Sequence, residues 1–185
     1  MSNEREQLQK LLVEALEKLY SKDLYLIKMP KHNCTSSKNT NEPVYNYTGE
    51  REIVFRLGIY LYEIMNKKLM SILKLEKDVK LNLDCEYNRN LCFSKKVNNI
   101  KRYPDLILHN RGSNDNNILV IEAKTWWNPN TENDEEKLEL LTSQKGEYKY
   151  KYGLSIKFNT SNVNLVWFED GIKCTSNKIE ILLKK

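Results

Sequence analysis

The sequence predicts a mixed α/β domain, and three features carry that prediction. Apolar residues recur at helical spacing in two stretches of the first third. Three strand-like segments follow, separated by turns rich in Gly, Asn and Asp. A further helical stretch then divides them from a last group of strands, an alternation typical of α/β domains. At 185 residues the chain suits one domain with a buried core.

Leu8, Leu11, Leu12, Ala15, Leu16 and Leu19 make residues 3–20 an amphipathic helix, which is expected to pack its leucines onto the domain as an N-terminal unit spanning 1–28. Residues 29–47 are polar and contain proline, and read as a loop. The main domain is expected to cover 48–185. Thr48 is suited to cap its first helix, along which Ile53, Leu57, Leu61 and Ile64 form an apolar stripe. "VKLNLDCEY" (79–87) alternates like a half-buried strand, and "DLILH" (105–109) with "NILVIEAK" (117–124) reads as a hairpin. "NDEEKLELL" (133–141) has the acidic start and apolar spacing of a helix. "YKYGLSIKF" (150–158), "VNLVWFE" (163–169) and "KIEILLK" (178–184) read as further strands.

Composition narrows the function classes. Charged residues make up 30% and apolar residues 40%, ordinary values for a globular chain. The net charge of +5 suits an anionic partner. No apolar run approaches the ~18 residues of a membrane span, and the first residues lack a secretory pattern, so a cytoplasmic protein without a membrane partner is expected. Cys34, Cys85, Cys92 and Cys174 form no CxxC pair and read as reduced thiols. With His32 and His109 as the only histidines, no zinc site is expected.

The chemistry is concentrated in "RYPDLILHNRGSNDNNILVIEAKTW" (102–126), where ionisable residues stand at the ends of two apolar runs. Side chains alternate along a strand, so Glu122 and Lys124 share a face with Val120. If Asp105 begins the neighbouring antiparallel strand, its carboxylate lies beside the end bearing Glu122. Two adjacent carboxylates repel, and a divalent cation relieves that repulsion. Mg²⁺ prefers hard oxygen ligands and keeps waters, so Asp105, Glu122 and the Ala123 carbonyl are its candidate ligands, with Mn²⁺ as a substitute. Such a metal acidifies bound water and stabilises charge on a phosphoryl oxygen. Lys124 is suited to orient the attacking water or to neutralise the pentacovalent phosphate. A further acid is expected from the helix before the strands. Glu50 lies on the inward stripe, three and seven residues before Ile53 and Leu57, whereas Glu52 points about 140° away from it. Glu50 is therefore the preferred candidate, although an acid in a first helical turn also complements the helix N-terminus.

"YPD" at 103–105 with "IEAK" at 121–124 resembles the motif of the PD-(D/E)XK nuclease superfamily, and residues 48–158 follow its order of elements. The resemblance implies a restriction-endonuclease-like αβββαβ core, with a mixed central sheet flanked by helices. It implies Asp105 and Glu122 as metal ligands, Lys124 as the catalytic lysine and Glu50 as the first-helix acid. It also implies water attack on a phosphodiester that leaves a 5′-phosphate. The N-terminal helix and the C-terminal strands lie outside it.

Secondary candidates have structural alternatives. Asp84 and Glu86 are expected on one strand face, where Glu86 is either an extra ligand or a partner for Arg89. Asp134 and Lys137 open the helix after the motif lysine, where the superfamily places substrate-facing residues; a helix cap with a surface lysine is the other reading. His109 reads as a satisfied strand-end histidine, and Trp126–Trp127 as a rim of the core or a stacking surface. "KGEYKYKYG" (145–153) interleaves lysines with tyrosines and "SKKVNNIKR" (94–102) reads as a basic loop near Asp105; the lysines suit phosphates and the tyrosines bases, with Tyr inward and Lys solvated as the alternative for 148–152. The partner expected is nucleic acid, DNA rather than RNA. Two rivals remain open: a binding protein on a catalytically silent nuclease scaffold, and an interaction module of a larger complex. A homodimer would favour cleavage of both strands of a duplex.

Overall fold

Leu8, Leu11, Leu12, Ala15, Leu16 and Leu19 are buried along one face of helix α1 (Asn3–Lys22). Each of the leucines contributes roughly 1.5–3 kcal/mol by leaving water, so α1 is an integral layer of the domain. The polar groups of α1 dock it in the same way. Tyr20 donates its hydroxyl to the Asn159 carbonyl at 2.6 Å, the Trp167 indole N–H donates to Gln9 at 3.0 Å, and Arg5 pairs with Glu169 at 2.5 Å. The computed structural model describes residues 3–28, 48–73, 79–91, 93–97, 100–101, 103–128 and 132–181. The expected loop at 29–47, with His32 and Cys34, lies outside the described residues, as do Cys92 and 182–185.

A second long helix, α2 (Glu50–Leu73), lies against α1 and buries Ile53, Leu57, Leu61 and Ile64. It starts at Glu50, so Gly49 rather than Thr48 holds the capping position. The Glu52 carboxylate folds back onto Gly49, where a Cβ would meet only that flexible side chain. That backward reach of the third helical residue suits the unpaired amides of a helix start.

Six strands form one mixed sheet in the order β1 (Leu81–Cys85), β6 (Leu106–Asn110), β7 (Leu119–Thr125), β8 (Tyr152–Phe158), β9 (Asn162–Glu169) and β10 (Ile172–Glu180). Neighbours are antiparallel except β7 and β8, which are parallel. A parallel pair needs a crossover, and helix α3 (Glu132–Thr142) supplies it. Alternation along the strands splits the core in two. Leu106, Leu108, Leu119 and Ile121 face the α1–α2 layer, while Ile107 and Val120 meet Leu138 and Leu141 of α3. Helices on both sides explain why β6 and β7 are buried almost throughout. None of the described helices is long and apolar enough to cross a membrane.

Three expectations are corrected. The last strand is not centred on 178–184 but begins at Ile172. Asp170 and Gly171 (φ 48° and 72°) make the left-handed two-residue turn that suits a hairpin, and β10 pairs with β9 from there. As an exposed edge strand it does not need the apolar pattern of a buried one. The basic stretch 94–102 is not a simple loop, because β4 (Lys96–Val97) pairs with β5 (Ile100–Lys101), after a preceding pair β2 (Arg89–Asn90) and β3 (Phe93–Ser94). Glu86 does not share a strand face with Asp84: β1 ends at Cys85, and Glu86 takes a left-handed backbone (φ 48°).

Candidate active site

Leu106 pairs with Ile121 across β6 and β7, which sets Asp105 level with Glu122. The Asp105 carboxylate accepts the backbone N–H of Ala123 at 2.7 Å. Ala123 turns its methyl into the α2-side core, so its neighbours Glu122 and Lys124 face the α3 layer. Lys137 of α3 meets Glu122 there, with Nζ 2.6 Å from Oε1. Lys124 reaches two carboxylates, Glu50 at 3.1 Å and Asp134 at 3.2 Å. Glu50 belongs to the other helical layer; as the first residue of α2 it sits at the strand ends, where it also accepts from Thr125 N–H (3.3 Å) and from Asn128 Nδ2 (3.0 Å).

The sheet end therefore gathers Glu50, Asp105, Glu122 and Asp134 with Lys124 and Lys137, four carboxyl groups against two ammonium groups. Burial sets their electrostatics. Glu122 is only 3% exposed, and desolvation pushes its carboxyl well above the usual range, with Lys137 offsetting this in part. Burial also raises Asp105, against the Ala123 N–H and the two lysines. For Lys124 burial alone would lower the pKa, but Asp134 and Glu50 outweigh it and hold the ammonium above its ordinary value.

Donor chemistry decides what the site accommodates. Among the described residues, no three Asp, Glu, His or Cys side chains are grouped so as to hold a metal ion. Glu122 Oε1 and Asp134 Oδ2 are nevertheless buried without a hydrogen-bond donor; their lysine contacts are ion pairs lacking hydrogen-bond direction. Carboxylate oxygens are hard donors, and Mg²⁺ or Mn²⁺ commonly binds through one or two of them and waters. Asp105 and Glu122 are the pair that could hold such a cation.

The remaining candidates fall elsewhere. Glu52 is exposed, away from the cluster. Glu86 pairs with Arg51 at 2.5 Å and not with Arg89, because its left-handed backbone turns it toward α2. His109 is buried and bound to Asp84 at 2.9 Å, and Arg111 takes the same carboxylate. Trp126 donates to the Ile27 carbonyl at 3.1 Å and packs edge-on against Trp127, which lies at the core rim. Lys137 is 7% exposed, so it is not a surface lysine. The signal for this was present: Asp134, Lys137, Leu138 and Leu141 share one helical stripe. Cys85 and Cys174 carry free thiols.

Lys95, expected among the phosphate-facing lysines of 94–102, is instead 2% exposed. It donates to the Tyr150 hydroxyl at 2.7 Å, with the rings of Tyr87 and Tyr148 within 6 Å. Burial among these rings lowers its pKa to about 8. Tyr148, Tyr150 and Tyr152 point inward, while Lys149 and Lys151 are exposed and Lys151 pairs with Glu4 at 2.8 Å. In 148–152 the alternation is therefore that of a solvated face. No family model, curated protein or solved structure matches this chain.

Proposed function

We propose that this chain is a metal-dependent nuclease of the PD-(D/E)XK kind, hydrolysing phosphodiesters of nucleic acid, with DNA preferred over RNA. One observation carries the reading: the Asp105–Ala123 hydrogen bond aligns Asp105, Glu122 and Lys124 at one sheet end, where Glu50 reaches Lys124 from the preceding helix. The order α2, β1, β6, β7, α3, β8 supports it, being the αβββαβ order of that superfamily. In a chain shaped by folding alone, a 3%-exposed glutamate beside the half-buried Asp105 carboxylate would be a net cost.

In this mechanism Asp105 and Glu122 would hold Mg²⁺ or Mn²⁺, with the Ala123 carbonyl as a candidate further oxygen. When bound, the metal supplies Lewis-acid stabilisation and an acidified water. The residues of the chain do the rest. Glu50 and Asp134 keep Lys124 charged and extended, and its ammonium meets the charge that develops on the phosphate. Lys137 balances Glu122 and becomes available to a phosphate oxygen once a cation takes over that role.

A second reading, binding without hydrolysis, draws on the lack of a tight three-carboxylate group among the described residues. Incubation with supercoiled plasmid, linear duplex, single-stranded DNA and RNA, each with Mg²⁺, Mn²⁺ or EDTA, separates the two. Cleavage that EDTA abolishes supports the nuclease; tight binding with every substrate intact supports the silent scaffold.

A further inference from the structure

A cavity of about 180 Å³ opens between the first turns of α2 and the end of β1, walled by Arg51, Val54, Phe55, Cys85, Glu86 and Asp105. Asp105 of the candidate site thus lines one wall, and three others are apolar. Phe55 is 58% exposed, a large ring left in water beside the opening. The Arg51–Glu86 ion pair (2.5 Å) sets charged donors and acceptors next to that ring. Glu86 reaches this place through its left-handed backbone, which its N–H braces by donating to the Asp105 carbonyl at 3.3 Å. Gly58 sits one turn after Phe55. A Cβ there would stand 3.2 Å from Leu106 and 3.5 Å from Cys85, so glycine lets α2 close down on the strands beneath.

We propose that this cavity receives one unstacked nucleobase next to the phosphate at Asp105, so that the substrate is nucleic acid with an unpaired nucleotide at the cleavage position. The inference rests on the nuclease reading and adds the substrate class. Its chemistry matches a base: apolar walls and an aromatic platform for the ring faces, and paired charges for the polar edge. Its size is right for one ring system, since a cavity of about 150 Å³ already takes benzene. A base within a duplex has both faces stacked and cannot enter. Aromatic stacking tolerates any base, so the pocket selects for unpairing rather than for sequence. Tyr62, seven residues further along α2, is 53% exposed and continues the aromatic surface away from the site.

The test uses single-stranded oligonucleotides carrying 2-aminopurine or an abasic residue at successive positions, duplexes with or without one unpaired nucleotide, and the wild-type, Phe55→Ala and Phe55→Trp proteins. Binding is read by fluorescence in Ca²⁺, and cleavage in Mg²⁺. The expected result is quenching of 2-aminopurine at one position beside the cut. Phe55→Ala should lose that quenching and bind about fivefold to a hundredfold more weakly, with KM rising more than kcat falls, and Phe55→Trp should restore both. Phe55 is exposed, so thermal unfolding of the variants should stay near wild type. Normal cleavage with no effect of Phe55→Ala, or equal cleavage of a fully paired duplex, overturns the pocket and leaves the nuclease standing. Quenching that depends on Phe55 without any cleavage keeps the pocket and overturns the nuclease. Absence of both overturns both.

Discussion

Asp105 accepts a 2.7 Å hydrogen bond from the backbone N–H of Ala123, the residue between Glu122 and Lys124. The contact binds the two strand ends in the register that presents Glu122 and Lys124 beside Asp105; a slip of one residue would send both to the opposite layer. The same carboxylate thus serves as a clasp and as a candidate metal ligand.

Those two roles are separable. Asp105→Ala leaves the Ala123 N–H without an acceptor and is expected to cost about 1–3 kcal/mol. Asp105→Asn keeps an acceptor oxygen and should remain within about 1 kcal/mol of wild type. Both should abolish metal-dependent cleavage. Urea unfolding beside a cleavage assay checks this, and an active Asp105→Asn protein would remove Asp105 from the chemistry.

Glu122 and Lys137 form a buried pair, 3% and 7% exposed. Lys137→Met should destabilise the metal-free protein by about 2–3 kcal/mol, below the ~3–5 kcal/mol of a stranded fixed charge, because Glu122 can take up a proton. Adding Glu122→Gln to Lys137→Met should recover most of that loss. A double-mutant cycle in urea measures the coupling, and additive effects would mean the 2.6 Å contact is not energetically real.

Lys95 makes stability depend on pH on the alkaline side. Its folded pKa, about 8, lies below the 10.5 of an ordinary lysine, so the unfolded chain binds more protons between those values. Its contribution is present above the unfolded value and is lost as pH falls through the folded one. From about pH 7 to about pH 9.5 the wild type should gain on the order of 2 kcal/mol relative to Lys95→Met. Unfolding of both proteins across that window tests it, and parallel profiles would place a carboxylate or water beside the ammonium.

The parts of the fold governed by short-range periodicity were legible in the sequence. The leucine stripe of α1, the β6–β7 hairpin and the divergence of Glu50 from Glu52 each follow from period 3.6 or period 2. Lys95 was not legible, because its cage joins Tyr87 to Tyr148 and Tyr150 about sixty positions away, and "SKK" has no local sign of burial. The partners of Glu86 and the start of β10 were misread for a related reason. A single left-handed residue, Glu86 or Asp170, redirects the chain where alternation alone would continue it. Lys137 was half-legible: its stripe was readable, but its contact with Glu122 depends on where the crossover helix lands.

The most direct test of the account is the single-turnover cleavage rate of one single-stranded oligonucleotide in Mg²⁺ by wild type, Glu122→Gln and Lys124→Ala. The account predicts cleavage by wild type and losses of about a hundredfold or more in both variants, the scale of removing a charge-stabilising group from a site. It predicts that both variants remain folded by circular dichroism. Cleavage by the variants within about tenfold of wild type would contradict it and move the chemistry away from this sheet end.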